Sequence, residues 1–174
     1  MSDMIHHHAQ ALVMAGWAPS HGASPAVRTL AERIVSGQQD EIALMQQWLR
    51  DREQPVAQPS GPARHGPSDT SSHSPAQGHG HEGHAMLMPG MLSPAQLEEL
   101  DRARGGEFDR MFLRYMIQHH RGALTMVNRL FATPGAAREE STFKLANDVS
   151  ADQSSEITRM ERMLASLDPP APSP

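Results

Sequence analysis

Apolar residues recur every three or four positions in several stretches of the chain, which is the spacing of one helix face. Proline is missing from the interior of these stretches. Pro25 directly follows Ser24 and marks a helix start, because Ser is a favoured N-cap and Pro is tolerated in the first turn. No stretch alternates apolar and polar residues as a strand would. The pattern therefore predicts an all-α chain, with helices over about residues 3–17, 25–53, 93–104, 107–131 and 137–167.

Near residue 54 the composition shifts to Pro, Gly, Ser and His. Such a segment buries too little apolar surface to fold on its own. We therefore divide the chain into a first helical hairpin over 1–53, a flexible linker over 54–92, a second hairpin over 93–168 and a disordered tail over 169–174.

The two hairpins share an internal repeat. Residues 4–14 match residues 116–126 at an offset of 112, with seven of eleven positions identical. A second match follows at an offset of 115, in which Gln38, Glu41 and Met45 all recur. Two matches in the same order indicate a tandem duplication of a helical hairpin. Two hairpins predict a four-helix bundle, with sites built between facing helices.

Both copies of the repeat bring imidazole and thioether groups to the helix face that should be buried, because residues three or four apart share a face. The adjoining helix of each copy adds a Glu one turn before a Met. A buried carboxylate is costly unless it is paired or bound to a metal, and a nearby His serves as either partner. The candidate ligands are Met4, His7, His8, Met14, Glu41 and Met45 in the first copy, and Met116, His119, His120, Met126, Glu156 and Met160 in the second.

A further concentration of His and Met lies in the linker. Its candidate ligands are His79, His81, His84, Met86, Met88 and Met91. Thioether is a soft ligand that favours Cu(I), and imidazole suits copper, zinc and nickel. A set of Met and His without thiolate or an acidic cluster therefore predicts copper, as Cu(I) or Cu(II), rather than calcium or magnesium.

The composition excludes several classes of site and of protein. The chain has 11 His and 12 Met but no Cys, which excludes thiolate zinc sites, iron–sulfur clusters and cysteine nucleophiles. A net charge of −5 offers no basic footprint for nucleic acid, and no apolar run is long enough to span a membrane. Neither a nucleophile elbow nor the Glu-x-x-His pattern of di-iron bundles occurs, so we predict no enzymatic activity.

Three interpretations stay open from the residues alone. The preferred one is a copper-binding protein that buffers, sequesters or delivers the ion through Met and His. The alternative is a structural or partner-binding helical bundle with no metal role, in which the His-His blocks only pair with buried Glu. A third is a redox enzyme at a metal site in the bundle, for which the sequence indicates no substrate pocket.

One block of the second copy resembles a known family. Residues 108–126 read F-D-R-M-F-L-R-Y-M-I-Q-H-H-R-G-A-L-T-M, similar to the DUF305 signature F-D-x-x-F-L-x-x-M-I-x-H-H-x-G-A-x-x-M. The resemblance implies a ferritin-like bundle of an exported bacterial protein, periplasmic or secreted, with a role in copper binding and copper resistance. It also implies a metal-binding role for Met4, His7, His8 and Met14, and for Met116, His119, His120 and Met126.

The first copy departs from this pattern at its start. The block F-D-R-M-F-L-R-Y precedes Met116, whereas only Met1, Ser2 and Asp3 precede Met4. The opening residues also lack the basic and apolar regions of a signal peptide. We therefore expect the true N-terminus to lie upstream. As partners we expect a metal ion, together with a second copy of the chain or a copper-trafficking protein.

Overall fold

The computed structural model describes residues 1–59 and 87–167. Its helices are α1 (Ser2–Gly16), α2 (Pro25–Arg50), α3 (Pro94–Arg102), α4 (Gly105–Ala132) and α5 (Glu140–Leu167). No strand occurs in these two ranges, which confirms the all-α prediction. Each helix begins and ends within a few residues of its predicted position. Within the same ranges, no helix is both long enough and apolar enough to cross a membrane.

Local sequence sets the start of two helices. The Ser24 side chain accepts a hydrogen bond from the backbone N–H of Val27, and Pro25 occupies the first turn of α2. At α3, Ser93 and Gln96 form a capping box, in which each side chain accepts from the other's backbone N–H. These caps satisfy N–H groups that a helix leaves unpaired at its start. The helix start predicted at Ser24 is thus confirmed.

The four long helices form two hairpins, α1 with α2 and α4 with α5, which meet where α1 packs against α4. The largest hydrophobic cluster lies at one end of the bundle, where Phe108, Phe112 and Leu113 are fully buried. The loop over 17–24 and α3 contribute to this cluster, so we call this the closed end. At the other end, the open end, two smaller clusters form around Met45 and Val127.

Polar contacts tie the hairpins together at both ends. At the closed end, Asp109 is 2% exposed and its two carboxylate oxygens accept from the Ser24 backbone N–H at 3.2 and 3.3 Å. A carboxylate beside a helix N-terminus is stabilised by the partial positive charge there. At the open end, Trp48 Nε1 donates to Thr142 Oγ1 at 2.9 Å and joins α2 to α5.

We expect Asp109→Ala to lower the free energy of unfolding by about 2 kcal/mol, because a hydrogen bond to a charged group contributes roughly 1.5–3 kcal/mol. Asp109→Asn should cost less, since its amide oxygen still accepts one bond. Urea denaturation followed by circular dichroism measures both losses. Asp40→Ala, at an exposed position of α2, is the control and should stay within about 0.5 kcal/mol of wild type. An equal loss in this control would contradict the assigned role of Asp109.

Candidate metal centre

Four histidines are fully buried where α1 packs against α4, and we call them the histidine cluster. The rings of His7 and His119 have centroids 3.9 Å apart and an interplanar angle of 38°. The centroid of His8 lies 6.4 Å from that of His7, and the centroid of His120 lies 6.2 Å from that of His119. The fold therefore brings both predicted His-His blocks together at the interface between the hairpins.

Two of these histidines pair with glutamates of the adjoining helix. His8 Nε2 contacts Glu41 Oε2, and His120 Nε2 lies 2.6 Å from Glu156 Oε2. The side chains of Glu41 and Glu156 are 10% and 21% exposed, so each carboxylate needs compensation for lost hydration. Each hairpin therefore makes the same His–Glu contact. A structural helical bundle without a metal role requires this contact.

The other two histidines donate to backbone carbonyls. The Nε2 of His7 bonds to the carbonyl of Pro89, and the Nε2 of His119 bonds to the carbonyl of His7, each at 2.9 Å. A carbonyl only accepts, so Nε2 carries the proton and Nδ1 is left with a free lone pair.

The Nδ1 atoms of all four histidines are buried without a hydrogen-bond partner among the described residues. A histidine that binds a metal usually donates its other ring N–H to a carboxylate or a carbonyl. Each ring of the cluster meets such a group at Nε2. The four rings therefore have the hydrogen-bond pattern that is usual for metal-binding histidines, with Nδ1 left without a partner among the described residues.

The histidine cluster includes rings that stay neutral. Burial lowers the pKa of His7 from an ordinary value of 6.5 to about 4, and its bond to Pro89 opposes this only in part. Burial also holds the pKa of His119 well below its ordinary value, and the neighbouring histidines lower it further. Both rings are therefore neutral at pH 7, which is the form that binds a metal.

Residues 88–92, at the edge of the predicted linker, form a turn that we call the strap. The Met91 backbone N–H donates to the Met88 carbonyl at 3.1 Å, and Gly90 between them has a φ of +77°. Pro89 followed by a Gly with positive φ is typical of a type II turn. The local sequence Met-Pro-Gly-Met thus accounts for the shape of the strap.

Side chains of α1 and α4 hold the strap against the bundle. Gln10 donates from Nε2 to the Leu92 carbonyl at 3.0 Å and accepts the Leu92 backbone N–H at 2.7 Å. Gln118 Nε2 donates to the Gly90 carbonyl at 3.4 Å, in addition to the bond from His7 already described. The strap therefore packs on the bundle through specific contacts, although the sequence pattern assigns these residues to the linker.

A pocket of about 480 Å³ lies at the open end of the bundle, and we call it the methionine pocket. Met4 of α1, Met45 of α2 and Met126 of α4, the pocket trio, line it together with Met88 of the strap. Met4 packs against both small hydrophobic clusters and so spans the two hairpins. Met1, which directly precedes α1, also lines the pocket, so five methionine side chains share it. Thioether sulfur is a soft ligand of the kind that Cu(I) prefers.

The equivalent methionines of the repeat have different surroundings. Met14, Met116 and Met160, the core trio, are fully buried in the large cluster at the closed end. The loop over 17–24 and α3 add apolar residues to that cluster. Met commonly fills irregular gaps in cores, so packing explains the core trio without a metal.

The linker candidates take several positions. Met88 lines the methionine pocket, whereas Met91 is half-buried and does not line it. The residues outside the described ranges are His79, His81, His84 and Met86. Across residues 1–59 and 87–167, no three His, Asp or Glu side chains converge as a ready metal site. The predicted ligands of the two hairpins therefore divide among the histidine cluster with its glutamates, the methionine pocket and the core.

Sequence reasoning missed the residues that hold the strap. Gln10 and Gly122 occupy equivalent positions of the repeat but are different amino acids. This difference could have indicated that the two helices make different contacts at this position. The dipeptide Pro89-Gly90 is typical of a turn, but the prediction of a flexible linker over 54–92 did not take it into account.

Acidification should destabilise the apo protein, because the folded state excludes protons that the unfolded chain binds. Between about pH 6.5 and 4 the unfolded His7 is protonated while the folded one is not, so stability falls as the pH drops through this window. Each such histidine contributes about 1.4 kcal/mol per pH unit. Urea denaturation between pH 7 and pH 5, above the titration of most carboxylates, measures the slope. His7→Gln should reduce it, and a flat profile in wild type would contradict the neutral cluster.

Several solved structures are similar to this chain. A DUF305 protein from Streptomyces coelicolor, described as secreted, has a TM-score of 0.72 at 26% identity, over 96% of this chain and 90% of its own. A DUF305 fragment from Deinococcus radiodurans has a TM-score of 0.71 at 29% identity, over 94% and 91%. CopM in its Cu(II)-bound form has a TM-score of 0.67 at 28% identity, over 95% and 93%.

CopM has also been solved in Cu(I)-bound, silver-bound and apo forms. No curated protein matches the chain. The family described as a domain of unknown function, DUF305, matches residues 1–164, which is nearly the whole sequence. The chain therefore belongs to the DUF305 family.

Proposed function

We propose that this chain binds copper and buffers, sequesters or delivers it. The observation that carries the proposal is the methionine pocket, where the pocket trio and Met88 line one open space. Thioether sulfur is neutral and soft, so it selects Cu(I) over hard ions such as Ca²⁺ and Mg²⁺. An open pocket also lets the ion enter and leave, which suits a protein whose copper is cargo.

The histidine cluster supports a second group of copper ligands. A buried polar atom without a partner costs about 1–3 kcal/mol, and four Nδ1 atoms lack one among the described residues. A copper ion bound at Nδ1 would remove part of this cost, since imidazole suits both Cu(I) and Cu(II). The proposed ligands in the linker rest on sequence pattern alone, and they are His79, His81, His84 and Met86.

Two of the similar structures support this function and its location. CopM, at 27–28% identity, is known in Cu(II)-bound and Cu(I)-bound forms, which supports copper as the ion. The Streptomyces relative is described as secreted, which supports a location outside the cytoplasm. The absence of Cys agrees with that location, because Met and His ligands form no disulfides in an oxidising compartment.

A purely structural bundle is the second candidate function. The pairs His8–Glu41 and His120–Glu156 favour it, because they compensate one buried and one half-buried carboxylate without any metal. This function accounts for Nε2 of each pair. It leaves the four Nδ1 atoms and the methionine pocket without a role, whereas copper binding gives a role to both.

We expect the triple substitution Met4→Leu, Met45→Leu and Met126→Leu to weaken Cu(I) binding by about 100-fold or more. Leucine keeps the apolar volume and removes the sulfur. Loss of an outer-shell partner already costs 10–100-fold in metal affinity, so loss of direct ligands should cost at least that. Competition against a chromophoric Cu(I) chelator, under anaerobic and reducing conditions, gives the dissociation constant.

The matched control makes the same three substitutions in the core trio, at Met14, Met116 and Met160. These residues lie in the closed-end cluster, so the control should keep its Cu(I) affinity. Its stability should change by less than about 1.5 kcal/mol per site, as expected for volume-conserving swaps. Equal weakening in both triple variants, or none in the pocket variant, would exclude the methionine pocket as the copper site.

A histidine variant separates the two candidate functions. His119→Gln keeps an N–H that can donate to the His7 carbonyl but removes the free ring nitrogen. If His119 is a ligand, equilibrium dialysis with Cu(I) and Cu(II) should find fewer ions bound, while thermal unfolding stays close to wild type. An unchanged number of ions together with a marked loss of stability would favour the structural bundle.

A further inference from the structure

Gly122 of α4 lies against the strap with no space for a side chain. A Cβ at this position would lie 1.9 Å from the Pro89 carbonyl oxygen and 2.6 Å from the Gly90 Cα. A Cβ on Gly90 would in turn lie 2.5 Å from the Gln118 carbonyl oxygen and 2.6 Å from the Gly122 Cα. These neighbours are backbone atoms, so a side chain at either glycine would force the strap away from α4.

Gln10 occupies the position of the first copy that corresponds to Gly122 in the second. It is 3% exposed, and its amide bonds to both backbone groups of Leu92. The two copies of the repeat therefore serve the same segment in different ways. Glycine lets the middle of the strap approach α4, and glutamine fixes the end of the strap to α1.

The strap runs from the closed-end core to the methionine pocket. Leu92 is 1% exposed within the large hydrophobic cluster, whereas Met88 and Pro89 line the pocket. The contacts at Gly90 and Leu92 fix two points of a five-residue turn. Together with the bond between the Met91 N–H and the Met88 carbonyl, these contacts fix the backbone at Met88, so its side chain starts beside the pocket before any ion arrives.

We propose that Gly122 and Gln10 are positioning residues, which place the strap so that Met88 adds its thioether to those of the pocket trio as a ligand of Cu(I) in the methionine pocket. This inference rests on the proposed function, because it adds a ligand to the same site. A ligand that is held in place loses less conformational entropy on binding, so the seating of the strap raises the affinity for the ion.

A double-mutant cycle on Cu(I) affinity tests the proposal. Gly122→Ala and Met88→Leu should each weaken binding by about 10- to 100-fold. The double variant should lose no more Cu(I) affinity than Met88→Leu alone, because the proposed effect of Gly122 on this pocket passes through Met88. Gly37→Ala is the control, since a Cβ at this α2 position meets nothing within 4 Å, and it should bind as wild type does. Full affinity in Gly122→Ala, or losses that multiply in the double variant, would overturn the proposal.

The position of the strap can also be measured in the apo protein, by NMR of the methionine methyl groups. In protein labelled with ¹³C at the methionine methyl groups, Gly122→Ala should shift the Met88 resonance and leave that of Met14 unchanged. If Gly122→Ala does not fold, Gln10→Asn replaces it in the double-mutant cycle. The shorter Asn side chain no longer reaches both the carbonyl and the backbone N–H of Leu92. A Met88 resonance that is unmoved in the folded variant would contradict the seating role.

The pocket-trio variant measured in parallel separates this proposal from the proposed function. If the pocket trio proves dispensable for Cu(I) binding, the pocket itself is wrong as the copper site. If the pocket trio is required while Met88→Leu and Gly122→Ala bind as wild type does, the pocket stands and only the positioning role is overturned.

Discussion

The contact between the buried imidazoles of His7 and His119 sets the arrangement of the rest of the bundle. Both rings are buried, and each needs an acceptor for its Nε2–H, because a buried donor without a partner costs about 1–3 kcal/mol. His119 takes the backbone carbonyl of His7, which joins α4 to α1, and His7 takes the carbonyl of Pro89, which draws the strap onto the bundle. The next residue in each helix pairs with a glutamate of α2 or α5. One buried cluster thus contacts all four long helices and the strap.

The bundle places two kinds of candidate metal ligand in different regions, although they are neighbours in the sequence. Imidazole and carboxylate lie together in the interior, where each carboxylate compensates a ring and each ring keeps one free nitrogen. Thioethers line the pocket at the open end, beside Pro89, whose carbonyl binds the cluster. The thioethers carry no charge that an ion must balance, and the two charged residues that line the pocket, Asp3 and Arg129, are of opposite sign. This separation is what a protein needs if it must hold and release a soft cation.

Most of the fold could be predicted because helices depend on local signals such as Ser24 and the apolar spacing. The contacts of His8 and His120 with glutamates follow from the repeat, which keeps both partners at the same register. Two features could not be predicted. The pocket trio and the core trio have the same spacing, and only the cover supplied by α3 and the loop over 17–24 distinguishes them. The seat of the strap depends on two glycines, Gly90 and Gly122, that meet only in the folded chain.

Crystals grown anaerobically with one equivalent of Cu(I) would locate the ion through an anomalous difference map at the copper absorption edge. The strongest peak should lie in the methionine pocket, within bonding distance of the sulfur atoms of Met4, Met45 and Met126. Met88 of the strap should complete the set. A strongest peak at the histidine cluster or beside the core trio, with no density in the pocket, would contradict the assignment of this open end as the copper site.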